Sequence, residues 1–193
     1  MSSLSYSVGM IIADNLKKQG LTEVNADELA KGFAEFLEGK PAVDLNQANR
    51  TLQNHLSKEA AAKYGNQLEQ GAAFLAANSK KEGVVTLPSG LQYKVIKEGN
   101  GPKPKATDKV TTHYHGTLID GTVFDSSVQR NQPATFPVNG VIKGWVEALQ
   151  LMPTGSKWRL FVPYNLAYGE RGAGSTIKPF ATLIFDVELL KIN

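Results

Sequence analysis

No cysteine occurs in the 193 residues, which excludes disulfides and thiol chemistry. No apolar run approaches the ~20 residues that a membrane helix needs, so no membrane partner is expected. Histidine is scarce at three. His113 and His115 are two apart on one predicted strand and share a face, while His55 lies far off in a helical stretch. They read as sheet-face histidines, not a metal site. Basic residues are not clustered. Residues 1–83 hold 9 Lys+Arg against 10 Asp+Glu, and residues 84–193 hold 12 against 8. That mild asymmetry excludes a nucleic-acid face, which needs a concentrated basic patch. The opening Met1-Ser2-Ser3-Leu4-Ser5-Tyr6 has no basic region and Asp14 interrupts the apolar stretch, so a cytoplasmic location is expected.

What is present divides by period. Over residues 1–82 the apolar pattern is helical. Leu4, Val8, Ile11 and Ile12 fall at i, i+4, i+7 and i+8, and Leu29, Phe33, Phe36 and Leu37 repeat that spacing. Gly20 is placed to stop the first helix, Asn25 with Glu28 forms a capping box for the second, and Gly39 with Pro41 ends it. Two such helices cannot bury a sizeable core alone. Their stripes call for a partner, most simply a second copy, so residues 1–42 are read as a homodimerisation domain with those eight side chains at the interface. A third helix is expected from near Asp44 to about Lys81, with no proline between Pro41 and Pro88. Its stripe is clear at Leu45, Ala48, Leu52 and Leu56, thins in the middle and returns at Leu68, Phe74 and Leu75. At ~1.5 Å per residue it would span roughly 55 Å, a linker over residues 43–83. Gly65 and Gly71 are its weak points, where it could bend or simply tolerate glycine.

Beyond Gly83 the period is two. The stretches at Leu91–Val95, Val110–Ile119, Thr122–Phe124, Lys157–Val162 and Thr182–Leu190 read as strands, with Asp120-Gly121 as a hairpin turn. A short helix near residues 143–149 sits among them. The class is therefore α+β: residues 84–193 form an antiparallel sheet of about five strands around one helix, preceded by the all-α part. Gly140-Val141-Ile142-Lys143-Gly144-Trp145 runs from a loop into that helix with three apolar groups and no acid, base or thiol. With Tyr114, Phe124 and Asp125 upstream and Tyr168 and Phe185 downstream, it outlines one apolar recess with a few polar groups, the usual form of a small-ligand pocket. Gly169-Glu170-Arg171-Gly172-Ala173-Gly174 lacks the spacing of a phosphate loop and reads as a mobile lip over that pocket. Ser126-Ser127 has no histidine in its motif, which argues against serine hydrolysis.

Five blocks carry a resemblance. They are Thr86-Leu87-Pro88-Ser89-Gly90-Leu91-Gln92-Tyr93, Asp120-Gly121-Thr122-Val123-Phe124-Asp125-Ser126-Ser127, Val141-Ile142-Lys143-Gly144-Trp145, Leu166-Ala167-Tyr168-Gly169 and Ala181-Thr182-Leu183-Ile184-Phe185-Asp186-Val187-Glu188-Leu189-Leu190. In this order the C-terminal half resembles the FK506-binding-protein type of peptidyl-prolyl cis-trans isomerase. The helical half, with Leu4-Ser5-Tyr6-Ser7-Val8-Gly9, looks like the extension of two-domain members related to macrophage infectivity potentiator, in their intracellular branch. The resemblance implies a prolyl pocket. Trp145 would be its floor and Phe124, Val141, Ile142 and Phe185 its walls. Tyr168 and the Ile142 backbone N–H would donate to the substrate carbonyl. Asp125 would be buried, held by Tyr114 and Arg130, and Ile177 would complete the lining. Ala134 stands where many members have phenylalanine, and Ala173 where some have histidine.

The implied activity is isomerisation of X-Pro bonds in unfolded or partly folded proteins, without cofactor, metal or nucleotide. Chaperone-like client binding by a splayed dimer would accompany it. Macrolide inhibitors of the FK506 type are implied ligands, with their fit past Ala134 left open. The rival readings are a prolyl-segment-binding module or holdase chaperone whose isomerase activity is incidental, and an adaptor docking a folded partner through the long helix.

Overall fold

A computed structural model describes residues 3–19, 21 and 23–193. The chain divides into two compact units, Met1–Glu59 and Ala60–Asn193. The sequence suggested boundaries near residues 42 and 83. The third helix instead runs through the one division that compactness draws.

The first unit is helical. Helix α1 spans Ser3–Lys18 and α2 spans Ala26–Leu37. Gly20, read as the stop of α1, lies outside the described residues. Asn25 caps α2 as its spacing predicts, its side-chain oxygen accepting from the N–H groups of Asp27 at 2.9 Å and Glu28 at 3.0 Å. Just past α2, Gly39 takes a φ of 72°, a conformation open to glycine and costly for most residues. No residue of α2 is buried. Helix α3, Leu45–Asn78, begins here, with the Asp44 carboxylate accepting from the Gln47 N–H at 2.8 Å. No helix among the described residues is long and apolar enough to cross a membrane.

The second unit holds the rest of α3 and an antiparallel sheet. The strands are β1 (Val84–Thr86), β2 (Gln92–Lys97), β3 (Lys109–Leu118), β4 (Val123–Ser126), β5 (Ala134–Pro137), β6 (Lys157–Val162) and β7 (Leu183–Ile192), and helix α4 spans Lys143–Leu151. Their order is β1-β2-β6-β7-β3-β4, with β5 also paired to β3. The antiparallel α+β architecture is as expected, but seven strands replace five. The two additions, β1 and β5, have three and four residues, too few for a period-two pattern to register.

Alternation puts Val110, Tyr114 and Leu118 of β3, Leu160 and Val162 of β6, and Val187 and Leu189 of β7 into one core with Leu149 and Met152 around α4. Phe161 is buried although it has the opposite parity. The last turns of α3 cover that other face, with Phe74 and Phe161 ring centroids 6.0 Å apart. Asn78, 1% exposed, donates from Nδ2 to Gln92 Oε1 at 3.0 Å, and Gln92 donates on to the Leu75 carbonyl at 2.9 Å, so the buried amides are paired. The two glycines of α3 differ. Beside Gly65, Tyr64 leaves helical dihedrals (φ −120°, ψ 16°). Gly71 is a point of close approach, where a Cβ would lie 2.5 Å from Thr182 Oγ1. The second half of α3 is thus a packed layer of this unit and not only a linker.

Candidate active site

Strands β3, β4, β5 and β7, helix α4 and the segment after β6 bring aromatic rings to one cleft. Tyr114 comes from β3, Phe124 and Asp125 from β4, Phe136 from β5, Phe185 from β7, Trp145 from α4 and Tyr168 from the segment. Two glycines make the approach feasible. A Cβ on Gly116 would lie 2.7 Å from the Phe124 ring and 3.0 Å from Phe185, so a bare position on β3 is where those rings meet. A Cβ on Gly144 would lie 2.6 Å from Val162 Cγ1, so α4 presses closely on β6 and carries Trp145 inward.

Trp145 is the hub. Its ring meets those of Phe185 at 5.2 Å and 80°, Tyr114 at 5.4 Å and 84°, and Phe136 at 5.7 Å and 76°. Phe124 meets Phe185 at 5.4 Å and 84°. All are edge-to-face, the arrangement that ring quadrupoles favour. The cleft is about 660 Å³, well within the range of small-ligand sites. Val141, Ile142 and Ile177 add aliphatic walls. Ile142 is the N-cap residue of α4, so its carbonyl accepts from Trp145 and Val146 while its N–H has no intrahelical acceptor. The glycine-rich segment folds into a small bridge, Ala173 N–H to the Ile177 carbonyl at 2.8 Å and the reverse at 3.2 Å. It thereby presents Ala173, Gly174 and Ile177 to the cleft.

The polar groups sit at one side. The Tyr114 hydroxyl donates to Asp125 Oδ2 at 2.5 Å and accepts from Arg130 Nη2 at 3.0 Å, while Arg130 Nη1 pairs with Asp125 Oδ1. Burial pushes the Asp125 carboxyl up, but the Tyr114 and Arg130 hydrogen bonds outweigh it and hold the group below the ordinary carboxylate range. The sequence reading placed this carboxylate in a buried position. Its side chain is 42% exposed, because β4 is an edge strand with solvent beyond it. Burial, then the bond to Asp125, raises the Tyr114 pKa, and burial with the Asp125 charge raises that of Tyr168. Both phenols are therefore protonated donors at neutral pH. Tyr168, 41% exposed, lies at the cleft rim.

Two family models divide the chain. One, described as FKBP-type peptidyl-prolyl cis-trans isomerase, matches residues 101–190, and the other, the domain amino terminal to FKBP-type peptidyl-prolyl isomerase, matches residues 1–95. The FKBP-type 22 kDa peptidyl-prolyl cis-trans isomerase of Escherichia coli is 52% identical over 97% of this chain and 93% of its own. The chain belongs to the FKBP-type peptidyl-prolyl cis-trans isomerases. The Outer membrane protein MIP of Legionella longbeachae is 47% identical over 98% of this chain and 84% of its own. The crystal structure of FkpA from Escherichia coli covers 99% of this chain and 93% of its own, with 34% identity and a TM-score of 0.67.

In this FKBP-type isomerase, Asp125, Tyr168, Trp145, Phe124, Ile142, Tyr114, Val141, Ile177 and Phe185 line one cleft, and Arg130 pairs with Asp125. Gly140, which opens the motif that runs into α4, also lines the cleft, as does Phe136, which no motif of the sequence marks. The signal was available for Phe136. It lies two residues after Ala134 on one face of β5, so the aromatic missing at Ala134 has a neighbour on that face. His113 and His115 are committed elsewhere, their Nδ1 atoms 3.1 Å from Ser127 Oγ and 2.9 Å from Ser126 Oγ.

Proposed function

We propose that this isomerase accelerates proline-limited folding of proteins, and that a homodimer built on α1 and α2 adds chaperone-like binding of unfolded clients. The observation that supports the catalytic part most is the edge-to-face ring cluster about Trp145, an aromatic floor and wall on which a prolyl ring can pack. An X-Pro bond exchanges slowly, over tens to hundreds of seconds, because its C–N bond has partial double-bond character. In the twisted transition state that conjugation is lost and the amide dipole shrinks. An apolar cleft then disfavours the planar polar ground state more than the twisted one. In this reading Trp145 lies beneath the proline ring, with Phe124, Val141, Ile142, Ile177 and Phe185 as walls. Tyr168 Oη and the Ile142 N–H donate to substrate carbonyls. Asp125, held by Tyr114 and Arg130, acts through its fixed charge on the rotating amide and not by proton transfer. Macrolides of the FK506 type would occupy the same cleft.

The deciding experiment is cis-to-trans exchange of a leucyl-prolyl peptide with wild type, Trp145→Ala and Asp125→Ala. Acceleration by wild type and a large loss in both variants is the expected result. Wild-type turnover in both would remove the cleft assignment. A second reading, a prolyl-binding holdase, draws support from the solvent-facing apolar residues of α1 and α2. It predicts that the two variants still suppress aggregation of an unfolded protein at wild-type level while folding is no longer accelerated. A cytoplasmic location belongs to the same proposal; recovery of the protein in a periplasmic or outer-membrane fraction overturns it.

A further inference from the structure

Strand β3 has β7 along one edge, while its other edge is shared. There β5 pairs with residues 109–112 and β4 with residues 115–117. Tyr114 falls in the gap between them. Its backbone groups nevertheless find partners on that edge, the shorter bonds coming from Ser127 and a longer one, at 3.4 Å, from the Val128 N–H to the Tyr114 carbonyl. The Ser127 N–H donates to the Tyr114 carbonyl at 3.0 Å, and the Tyr114 N–H donates to Ser127 Oγ at 2.7 Å. In a continuing antiparallel ladder the second bond would go to the Ser127 carbonyl. That carbonyl instead accepts from the Gln132 N–H at 3.1 Å, because the chain turns away after β4. The serine hydroxyl takes its place.

Ser127 is fully buried. Its Oγ also lies 3.2 Å from the Tyr114 carbonyl oxygen and 3.1 Å from His113 Nδ1. A hydroxyl has one hydrogen and two lone pairs. All three contacts hold together in one arrangement only: His113 carries its hydrogen on Nδ1, and the Ser127 hydrogen goes to the Tyr114 carbonyl. At the far end of the same tyrosine, the hydroxyl grips Asp125 and meets Arg130. The turn at Ser126 and Ser127 places that arginine as well, since the Arg130 N–H donates to the Ser126 carbonyl at 3.3 Å and the Gln129 N–H to Ser126 Oγ at 3.1 Å.

We propose that Ser127 is a positioning residue of the isomerase: its hydroxyl fixes the Tyr114 backbone in the gap between β5 and β4, and so aims the Tyr114 hydroxyl at Asp125 on the cleft wall. The inference rests on the reading of the cleft given above. Replacing the hydroxyl leaves the Tyr114 N–H without its acceptor in a dry site, and the loss passes along the tyrosine to the carboxylate.

The test uses full-length Ser127→Ala beside wild type, with prolyl-peptide exchange and a ¹³C NMR titration of the Asp125 carboxyl. A fall in kcat/KM of about tenfold is expected, the size of one lost buried hydrogen bond. The Asp125 titration should move up toward the ordinary carboxylate range. Unchanged kcat/KM overturns the proposal. So does a fall with the Asp125 titration unmoved, which would mark general loosening of the core. If Ser127→Ala does not fold, amide hydrogen exchange of wild type decides. A Tyr114 N–H protected like those of the paired residues of β3 supports the hydroxyl as its acceptor, and a Tyr114 N–H that exchanges freely overturns it. Failure of the cleft reading looks different, since Trp145→Ala and Asp125→Ala would then both keep wild-type turnover.

Discussion

The two units treat their apolar side chains in opposite ways. In the second, Leu91, Val110, Leu149, Leu160, Leu183 and Leu189 are wholly buried by strands and helices of the same unit. In the first, Leu4 is 74% exposed, Leu37 72%, Ile11 62% and Phe33 56%, and α2 buries nothing. A sheet closes on itself through long-range pairing and needs no second chain. Two amphipathic helices have one face each, and a few turns of helix leave that face in water. Large apolar side chains left in solvent along both helices are the kind of surface that association covers. One unit thus carries its cleft on a core built from its own strands and helices, and the other leaves its apolar helix faces in solvent, which is the ground for the proposed dimer.

Charging the helical face should have the largest effect. Phe33→Asp with Phe36→Asp should convert a dimer of the 20.9 kDa chain to a monomer in sedimentation. Each phenylalanine is about half exposed and would contribute on the order of 1 kcal/mol by completing its burial, and each carboxylate would have to be desolvated at the interface. Short-peptide exchange should stay within about twofold of wild type, since these residues lie outside the unit that holds the cleft. Refolding of a proline-limited protein should slow several-fold. A wild-type chain that sediments as a monomer would end the dimer reading. The next largest effect belongs to the other unit. Gly116→Ala puts a Cβ 2.7 Å from the Phe124 ring and 3.0 Å from the Phe185 ring, so both rings must move from their edge-to-face contact. Overpacking of this kind costs about 1–3 kcal/mol. Peptide exchange should fall about tenfold or more with the dimer intact, and a wild-type rate would show that the Phe124–Phe185 contact does not shape the cleft.

Much of the site was legible because its residues sit in motifs that are also turns and caps. Asp120-Gly121 announces the hairpin that delivers Phe124 and Asp125, and the run from Gly140 to Trp145 announces a loop entering a helix with its indole near the start. What the sequence hid are relations between segments. Phe136 was passed over because β5 is four residues long and has no pattern of its own; only pairing with β3 brings its ring to the indole. The exposure of Asp125 was missed because being an edge strand is a property of the sheet order, not of the strand. Gly71 was ambiguous for the same reason. In one dimension it is a weak point of a helix, and in three it is the gap that admits Thr182. The apolar stripes of α1 and α2 are legible in one dimension, since a spacing of 3.6 needs no knowledge of the rest of the chain.

The smallest effect tests the chemistry assigned to Asp125. Its folded pKa lies below the ordinary value of 3.8, because Tyr114 and Arg130 favour the charged form by more than burial disfavours it. A depressed carboxylate stabilises the fold fully above its unfolded pKa, and that contribution is lost as pH falls through the lower folded value. Asp125→Asn removes the titration and keeps the shape. The gap in thermal midpoint between wild type and Asp125→Asn should therefore be constant from neutral pH down to near 3.8 and narrow below it. It should be small throughout, since both partners are substantially exposed and solvent screens them. A gap that persists unchanged through the acid range would mean that the asparagine costs stability by misfitting the Tyr114 hydroxyl and not by losing a charge. The fixed-charge role proposed for Asp125 would then lose its support, whatever the activity of the variant.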